Sequence, residues 1–138
     1  MSDKVFVDTN ILVYFYTKTE IAKFDVLNKT LSEADIVIST QVLSEFSNVL
    51  LKKFKTPPAD IDNAIQEFCT WCSIFVVEKE TIQRALLLIK AHKLSYYDAL
   101  IVAAALESSC GILYSEDMQD SYRIDKSLRI INPFNQKS

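Results

Sequence analysis

The stretch VFVDTN, residues Val5 to Asn10, decides the fold. Its apolar residues run consecutively instead of alternating, the pattern of a short strand buried on both faces. The run ends abruptly in a carboxylate, and the chain turns helical at once through ILVYFYT. Asp8, at this junction, has two readings. It caps the helix or makes an Asx turn, or it is one ligand of a metal site.

Working outward, the same alternation repeats. Ile21, Phe24, Leu27 and Leu31 stand at helical spacing. DIVIS (Asp35 to Ser39) reads as a second buried strand. Thr40 is the expected N-cap of QVLSEFSNVLLKKF, whose core stripe is Val42, Phe46, Val49 and Leu50. Pro57-Pro58 breaks that helix, and Pro58 suits the start of the next one, through DIDNAIQEFCTWC. SIFVV (Ser73 to Val77) is a third strand. ETIQRALLLIKAHK is amphipathic, and SYYDALIVAAALES is apolar nearly all round, so it is central. Gly111 is the expected C′ residue of that helix. ILYS (Ile112 to Ser115) is a fourth strand and LRIIN (Leu128 to Asn132) a fifth. Strands alternating with helices, without hairpin signals, predict an α/β fold: a parallel sheet of about five short strands wrapped on both sides. Such sheets carry their sites outside the carboxyl ends of the strands.

Composition sets the outer bounds. The chain has 138 residues, the size of one domain spanning 1–138, with 49% hydrophobic and 24% charged residues. One glycine and three prolines exclude collagen-like or turn-rich all-β architectures. The net charge of -3 is not that of a dedicated duplex DNA binder, though it leaves room for an enzyme that meets nucleic acid through metal ions. Three cysteines and an acidic MSDKV start point to a reducing, cytoplasmic setting without a secretory leader. The most apolar run, Ala99 to Leu106, is too short to cross a bilayer, so no membrane association is expected.

Four acids then stand out. Asp8 and Asp117 end strands. Glu45 lies early in the helix after the second strand, one position from its apolar centre. Asp98 opens the apolar helix, and with Ser95 it fits a loose capping box. Each has a plain reading as a cap or a solvated flank residue. Together they converge on one rim of the sheet. Four neighbouring carboxylates raise each other's pKa values, and a hard divalent cation removes that conflict. An acidic cluster without histidine or cysteine ligands suits Mg²⁺ or Mn²⁺, which bridge phosphates and activate water for phosphodiester chemistry.

VDTNILVYF, QVLSEFSNVL, YYDALIVAAAL and ILYSEDMQD, in this order and at these distances, resemble the PIN-domain ribonucleases, and among them the VapC-type toxins of bacterial toxin–antitoxin pairs. The likeness runs from Val5 to the NPF at Asn132 to Phe134. It implies an α/β/α sandwich, Mg²⁺-dependent endoribonuclease activity, a homodimer and a cognate antitoxin that blocks the site. Carried over by position, it implies metal-binding or catalytic roles for Asp8, Glu45, Asp98 and Asp117, supported by Asn10 and Ser115. Related sequences often have glycine after MQD, where this chain has Ser121. That leaves open whether Glu116 or Asp120 supports the metal.

Other features have plainer accounts. Cys69-Thr-Trp-Cys72 with Cys110 and His92 formally makes a zinc set. However, Ile61, Ala64 or Ile65, Phe68 and Cys72 trace a core stripe that needs no metal. His92, the single histidine, is expected on the surface near a helix end. Lys52, Lys53, Lys55 and Arg84 suit either RNA phosphates or a solvated face. Tyr14, Phe15, Tyr16, Tyr96 and Tyr97 flank the rim as core or dimer-interface residues. Three competing functions remain. An aspartate-based phosphohydrolase wants D-x-D where this chain has Asp8-Thr9-Asn10. A receiver module wants an acidic pair and a strand-tip lysine. A non-catalytic RNA-binding domain on the same fold is opposed only by the presence of all four acids.

Overall fold

The computed structural model describes residues 4–135. Six strands form one sheet in the order β3-β2-β1-β4-β6-β5. The central strand β1 (Lys4–Val7) pairs in parallel with β2 (Asp35–Ser39) on one side and β4 (Ile112–Tyr114) on the other, Val5 facing both Ile36 and Ile112. β3 (Ser73–Phe75) and β6 (Leu128–Ile131) extend the parallel set outward. Val5, Phe6, Val7 and Ile36 to Ile38 are all buried, as consecutive apolar runs covered on both faces must be.

The helices are α1 (Thr9–Thr17), α2 (Ile21–Leu31), α3 (Thr40–Lys52), α4 (Pro58–Trp71), α5 (Lys79–His92) and α6 (Tyr96–Glu107). They flank the sheet in an α/β/α sandwich. α1 packs on α2 and α3, and α3 on α4, while α5 lies along α6. Ala99 to Ala105 of α6 are buried without interruption, which is why its sequence shows no polar face. A short 3₁₀ turn (Pro133–Asn135) closes the described chain.

Four local expectations are corrected. The sheet has six strands, not five, because β5 (Tyr122–Ile124) pairs antiparallel with β6. The turn joining them has positive φ at Asp125 (58°) and Lys126 (92°) and a Ser127 N–H to Ile124 C=O bond, a primed hairpin turn built without the usual asparagine or glycine. Ser39, not Thr40, caps α3, accepting from the Val42 N–H at 3.2 Å. The Thr40 hydroxyl instead accepts from the Val77 N–H. The left-handed residue after α6 is Ser109 (φ 60°), not Gly111, which already belongs to the sheet edge through bonds to Lys4 and Arg129. β3 and β4 also stop short of Val77 and Ser115, leaving Ser115 free to turn toward Asp8.

Ser121 adopts φ 62° while its N–H bonds to Ile130 C=O at 2.7 Å, so the turn needs a left-handed residue there. A non-glycine residue in that region costs about 1–2 kcal/mol. Glycine returns part of this as unfolded-chain entropy, about 0.4–1 kcal/mol. Ser121→Gly is therefore expected to stabilise the fold by about 0.5–1 kcal/mol, read as a rise in thermal melting temperature. An unchanged or lowered melting temperature would mean that the long Arg129 contact to the Ser121 hydroxyl outweighs the backbone strain.

Candidate functional site

At the carboxyl edge of β1 the chain passes straight from strand to helix, and Asp8 is the hinge. Its N–H is held by Tyr114 C=O of the neighbouring strand (3.0 Å), and its extended backbone makes it the N-cap of α1. One carboxylate oxygen, Oδ1, accepts from the Thr9 N–H at 2.7 Å. The other, Oδ2, accepts from the Ser115 hydroxyl at 2.9 Å. The Ser115 hydroxyl also accepts from the Met118 N–H, which fixes its proton toward Asp8. The cap reading and the site reading of Asp8 are thus both satisfied by one side chain.

Glu45 sits in the second turn of α3. The Thr9 hydroxyl donates to its Oε1 at 2.6 Å and the Gln41 amide to its Oε2 at 3.3 Å. The same amide donates to Tyr97 C=O at 3.1 Å, tying the start of α3 to the start of α6. Among the described residues, Gln41 Oε1 is a buried oxygen acceptor with no hydrogen-bond partner. Asp98 lies in the first turn of α6, where its N–H donates to the Ser95 hydroxyl at 3.3 Å. Asp117, past the tip of β4, is exposed and accepts from the Asn10 amide at 2.7 Å.

These residues line one open cleft of about 330 Å³, with Asp8, Asn10, Glu45, Asp98 and Asp117 on its walls. Their charges feel one another. Burial pushes the Asp8 carboxyl up from 3.8 to about 6; the Thr9 N–H and Ser115 hydroxyl pull it down, while Asp98 and Glu45 push it further up. The Asp98 carboxyl is also raised, first by burial and then by Asp117 and Glu45, against the hydrogen bond with Ser95. Thr9 and Asn48 line the cleft too, and sequence reasoning passed over both. Asn48 carried a usable signal, since it follows Glu45 by three positions and so shares its helix face.

The donor set is all oxygen with amide neighbours, which fits a hard divalent cation and no soft one. Among the described residues, no three acid, histidine or cysteine side chains stand close enough together to hold one ion. Asp8, Glu45 and Asp117 are each held by hydrogen-bond donors of the protein, Thr9 serving both Asp8 and Glu45.

Glu116 and Asp120 do not line this cleft. Glu116 accepts from Tyr14 Oη and Lys23 Nζ, both at 2.5 Å, and Lys23 lies over the Tyr14 ring. Burial would raise the Glu116 carboxyl, but the bonds from Lys23 and Tyr14 outweigh it and leave it below the usual range. Asp120 Oδ1 accepts from the Asn132 N–H at 2.8 Å. Both acids brace the chain around β4 instead of facing the acidic space. The cysteines are free: Cys69 is exposed, and burial pushes the Cys72 and Cys110 thiols up to about 12 and about 11. His92 is mostly buried, not on the surface as expected; its Nδ1 lies 2.9 Å from Tyr122 Oη. Tyr16 packs edge-on against Phe46 and Phe68, and Phe15 stacks on Phe24 and meets Trp71 edge-on, so these two partly buried rings pack against the core; Tyr97 is exposed. Two further hollows, of about 300 and 340 Å³, lie beside Phe15 and Trp71. Their only acid is Glu67, so neither offers the same chemistry.

A family model described as the PIN domain matches residues 5–126. Among solved structures, a toxin–antitoxin complex from Klebsiella pneumoniae is similar at 20% identity, covering 94% of this chain and 97% of that one, with a TM-score of 0.70. VapC20 of Mycobacterium tuberculosis, described as a Sarcin-Ricin loop cleaving toxin, is 18% identical, with coverages of 82% and 89% and a TM-score of 0.67. VapBC2 from Rickettsia felis, bound to a DNA fragment from its promoter, is 18% identical, with coverages of 94% and 99% and a TM-score of 0.66. At these identities the likeness is one of fold. No curated protein matches the chain.

Proposed function

The chain belongs to the PIN domain family, and from that premise we propose that it is a Mg²⁺- or Mn²⁺-dependent endoribonuclease, the toxin of a type II toxin–antitoxin pair. The observation that carries this reading is the single cleft lined by Asp8, Glu45, Asp98 and Asp117, in which burial and neighbouring acids raise Asp8 and Asp98. A site that makes its own carboxylates costly to ionise is one built to receive a cation.

In this proposal one or two of the four acids take the metal directly and the others reach it through its bound waters. Ser115 and the Thr9 N–H fix the Asp8 carboxylate, the Thr9 hydroxyl and Gln41 fix Glu45, and Asn10 fixes Asp117. A bound divalent ion supplies Lewis acidity, activating water and neutralising charge on the phosphodiester. The protein's own contribution is preorganisation: Asp8, Glu45 and Asp117 each have a hydrogen bond that sets the carboxylate's direction before substrate arrives. The Asn10 amide is spent on Asp117, so the D-x-D chemistry of an aspartate-based phosphohydrolase has no second acid here.

The partners follow as part of the same proposal: an RNA substrate, a cognate antitoxin that covers the cleft, and a second copy in a homodimer. Likenesses to a Sarcin-Ricin loop cleaving toxin and to a toxin–antitoxin complex support it. We place the protein in the cytoplasm as one domain. Among the described residues no helix is long and apolar enough to cross a membrane, and the three cysteines are free thiols.

The test is incubation of total RNA with purified protein, once with Mg²⁺ and once with EDTA. Cleavage is expected with Mg²⁺ alone, and it should return when excess Mg²⁺ is added back to the EDTA sample. Cleavage of equal rate in EDTA would sink the metal-dependent reading.

A further inference from the structure

Beside the acidic cleft lies a second hollow of about 210 Å³, and Asp98 and Asp117 belong to the walls of both. Its lining is mixed: Leu94, Met118 and Ile130, the last two buried, stand beside Lys93, Ser95 and the two shared aspartates. One wall is the His92–Tyr122 pair, ring centroids 5.7 Å apart at 90°, bonded to each other between Nδ1 and Oη. That bond occupies Nδ1 and Oη, and His92 Nε2 lies 3.9 Å from Asp125 Oδ1, so what the pair offers the hollow is chiefly ring surface. The exposed side chain of Gln119 supplies an amide with both donor and acceptor.

We propose that this hollow is a base subsite, which takes one unpaired nucleobase of the RNA while the adjoining phosphodiester lies in the acidic cleft. The proposal rests on the ribonuclease reading and deepens it. A hollow with a ring wall and apolar side chains on one part and polar groups, Gln119 among them, on the rest is chemically matched to a flat aromatic heterocycle with a polar edge. The shared aspartates put it directly against the phosphate-handling space, as the alternation of base and phosphate along a strand requires. The space admits one ring system and no base pair, so the substrate presents a splayed, single-stranded base. Gln119 reads its edge, and Leu94, Met118 and the ring pair hold its face.

The test has two arms, so that the subsite and the ribonuclease reading can fail separately. In the first, a random-sequence RNA pool is cleaved with Mg²⁺ and the cut ends are sequenced. Wild type should prefer one base at one position beside the cut, and Gln119→Leu should weaken that preference roughly tenfold, the scale of one lost base contact. Leu94→Trp, which fills the hollow, should lower kcat/KM by a similar factor while leaving the Mg²⁺-induced rise in melting temperature unchanged. In the second arm, a short single-stranded RNA is titrated into Asp8→Asn protein, which should bind without cutting. Methyl resonances of Leu94, Met118 and Ile130 should shift, and should not shift with an oligonucleotide made abasic throughout. Cleavage with no base preference, or methyls that ignore RNA, overturns the subsite and leaves the nuclease standing. Shifted methyls with no cleavage of any RNA keep the base pocket and overturn the nuclease.

Discussion

Asp8→Asn is expected to reduce Mg²⁺-dependent RNA cleavage by ~10³-fold or more and, in the absence of metal at pH 7, to make the protein more stable than wild type. The two effects have one origin. Asparagine keeps the shape of the side chain and its value as an N-cap. Its carbonyl can still accept from the Thr9 N–H, and the Ser115 oxygen, which already accepts from the Met118 N–H, has a second lone pair for the new amide once its proton turns away. What it loses is the charge, and the charge is what burial, Asp98 and Glu45 all oppose.

The sign can be worked through. The Asp8 carboxyl ordinarily titrates at 3.8 and in the fold at about 6. Between those values the folded protein binds more protons than the unfolded chain, so stability falls as pH rises through the window. Below 3.8 the penalty is absent, and above about 6 it is complete. Its upper bound is about 3 kcal/mol, from about 1.4 kcal/mol per pKa unit. Thermal melting in EDTA should therefore show wild type losing stability from pH 4 to pH 6 relative to Asp8→Asn, with the variant melting several degrees higher at pH 7. Adding Mg²⁺ should raise wild type and leave the variant nearly unmoved, because only a ligand that binds the native state stabilises it. If Asp8→Asn still cleaved RNA, or melted lower than wild type in EDTA at pH 7, Asp8 would be a structural cap and nothing more.

The sequence made the strand order of events legible because burial on two faces leaves a plain mark. Val5 to Val7 and Ile36 to Ile38 are uninterrupted apolar runs, and α6 is apolar all round since Ala99 to Ala105 see no solvent. β5 was not legible for the converse reason. Three residues, Tyr122–Ile124, alternate in burial at a sheet edge, and their turn is made by Asp125 and Lys126 instead of a glycine pair. The Ser39 cap was missed in favour of Thr40 because both are good caps and only the register with β3 hands Thr40 to Val77. The candidate acids were visible as types at strand tips and helix starts. The fact that Asp8, Glu45, Asp98 and Asp117 share one cleft, while Glu116 turns to Lys23 and Tyr14, depends on pairings 93 to 107 residues apart in sequence. No local pattern encodes which of two adjacent acids, Glu116 or Asp117, points to the cleft.

Phe46→Ala is expected to be the most damaging substitution outside the acids, and its effect reaches the site. Phe46 is fully buried and meets Phe68 and Tyr16 edge-on at 5.1 and 5.5 Å. Removing a ring from such a place costs about 3–5 kcal/mol, a large part of the about 5–15 kcal/mol that holds a typical domain together. The melting temperature should drop by roughly 10 °C or more, whereas Phe46→Leu should recover much of the loss by refilling the space. Phe46 is also the residue next to Glu45. Its ring fixes the rotation of α3, and that rotation is what brings Glu45 to the Thr9 hydroxyl. A cavity behind α3 lets the helix settle, and displacement of a catalytic group by about 1 Å can cost ~100-fold in rate. At a temperature where both proteins are folded, Phe46→Ala should therefore cleave RNA more slowly than Phe46→Leu, with the deficit in kcat. Equal rates in the folded variants would show that the bonds from Thr9 and Gln41 hold Glu45 without help from the core.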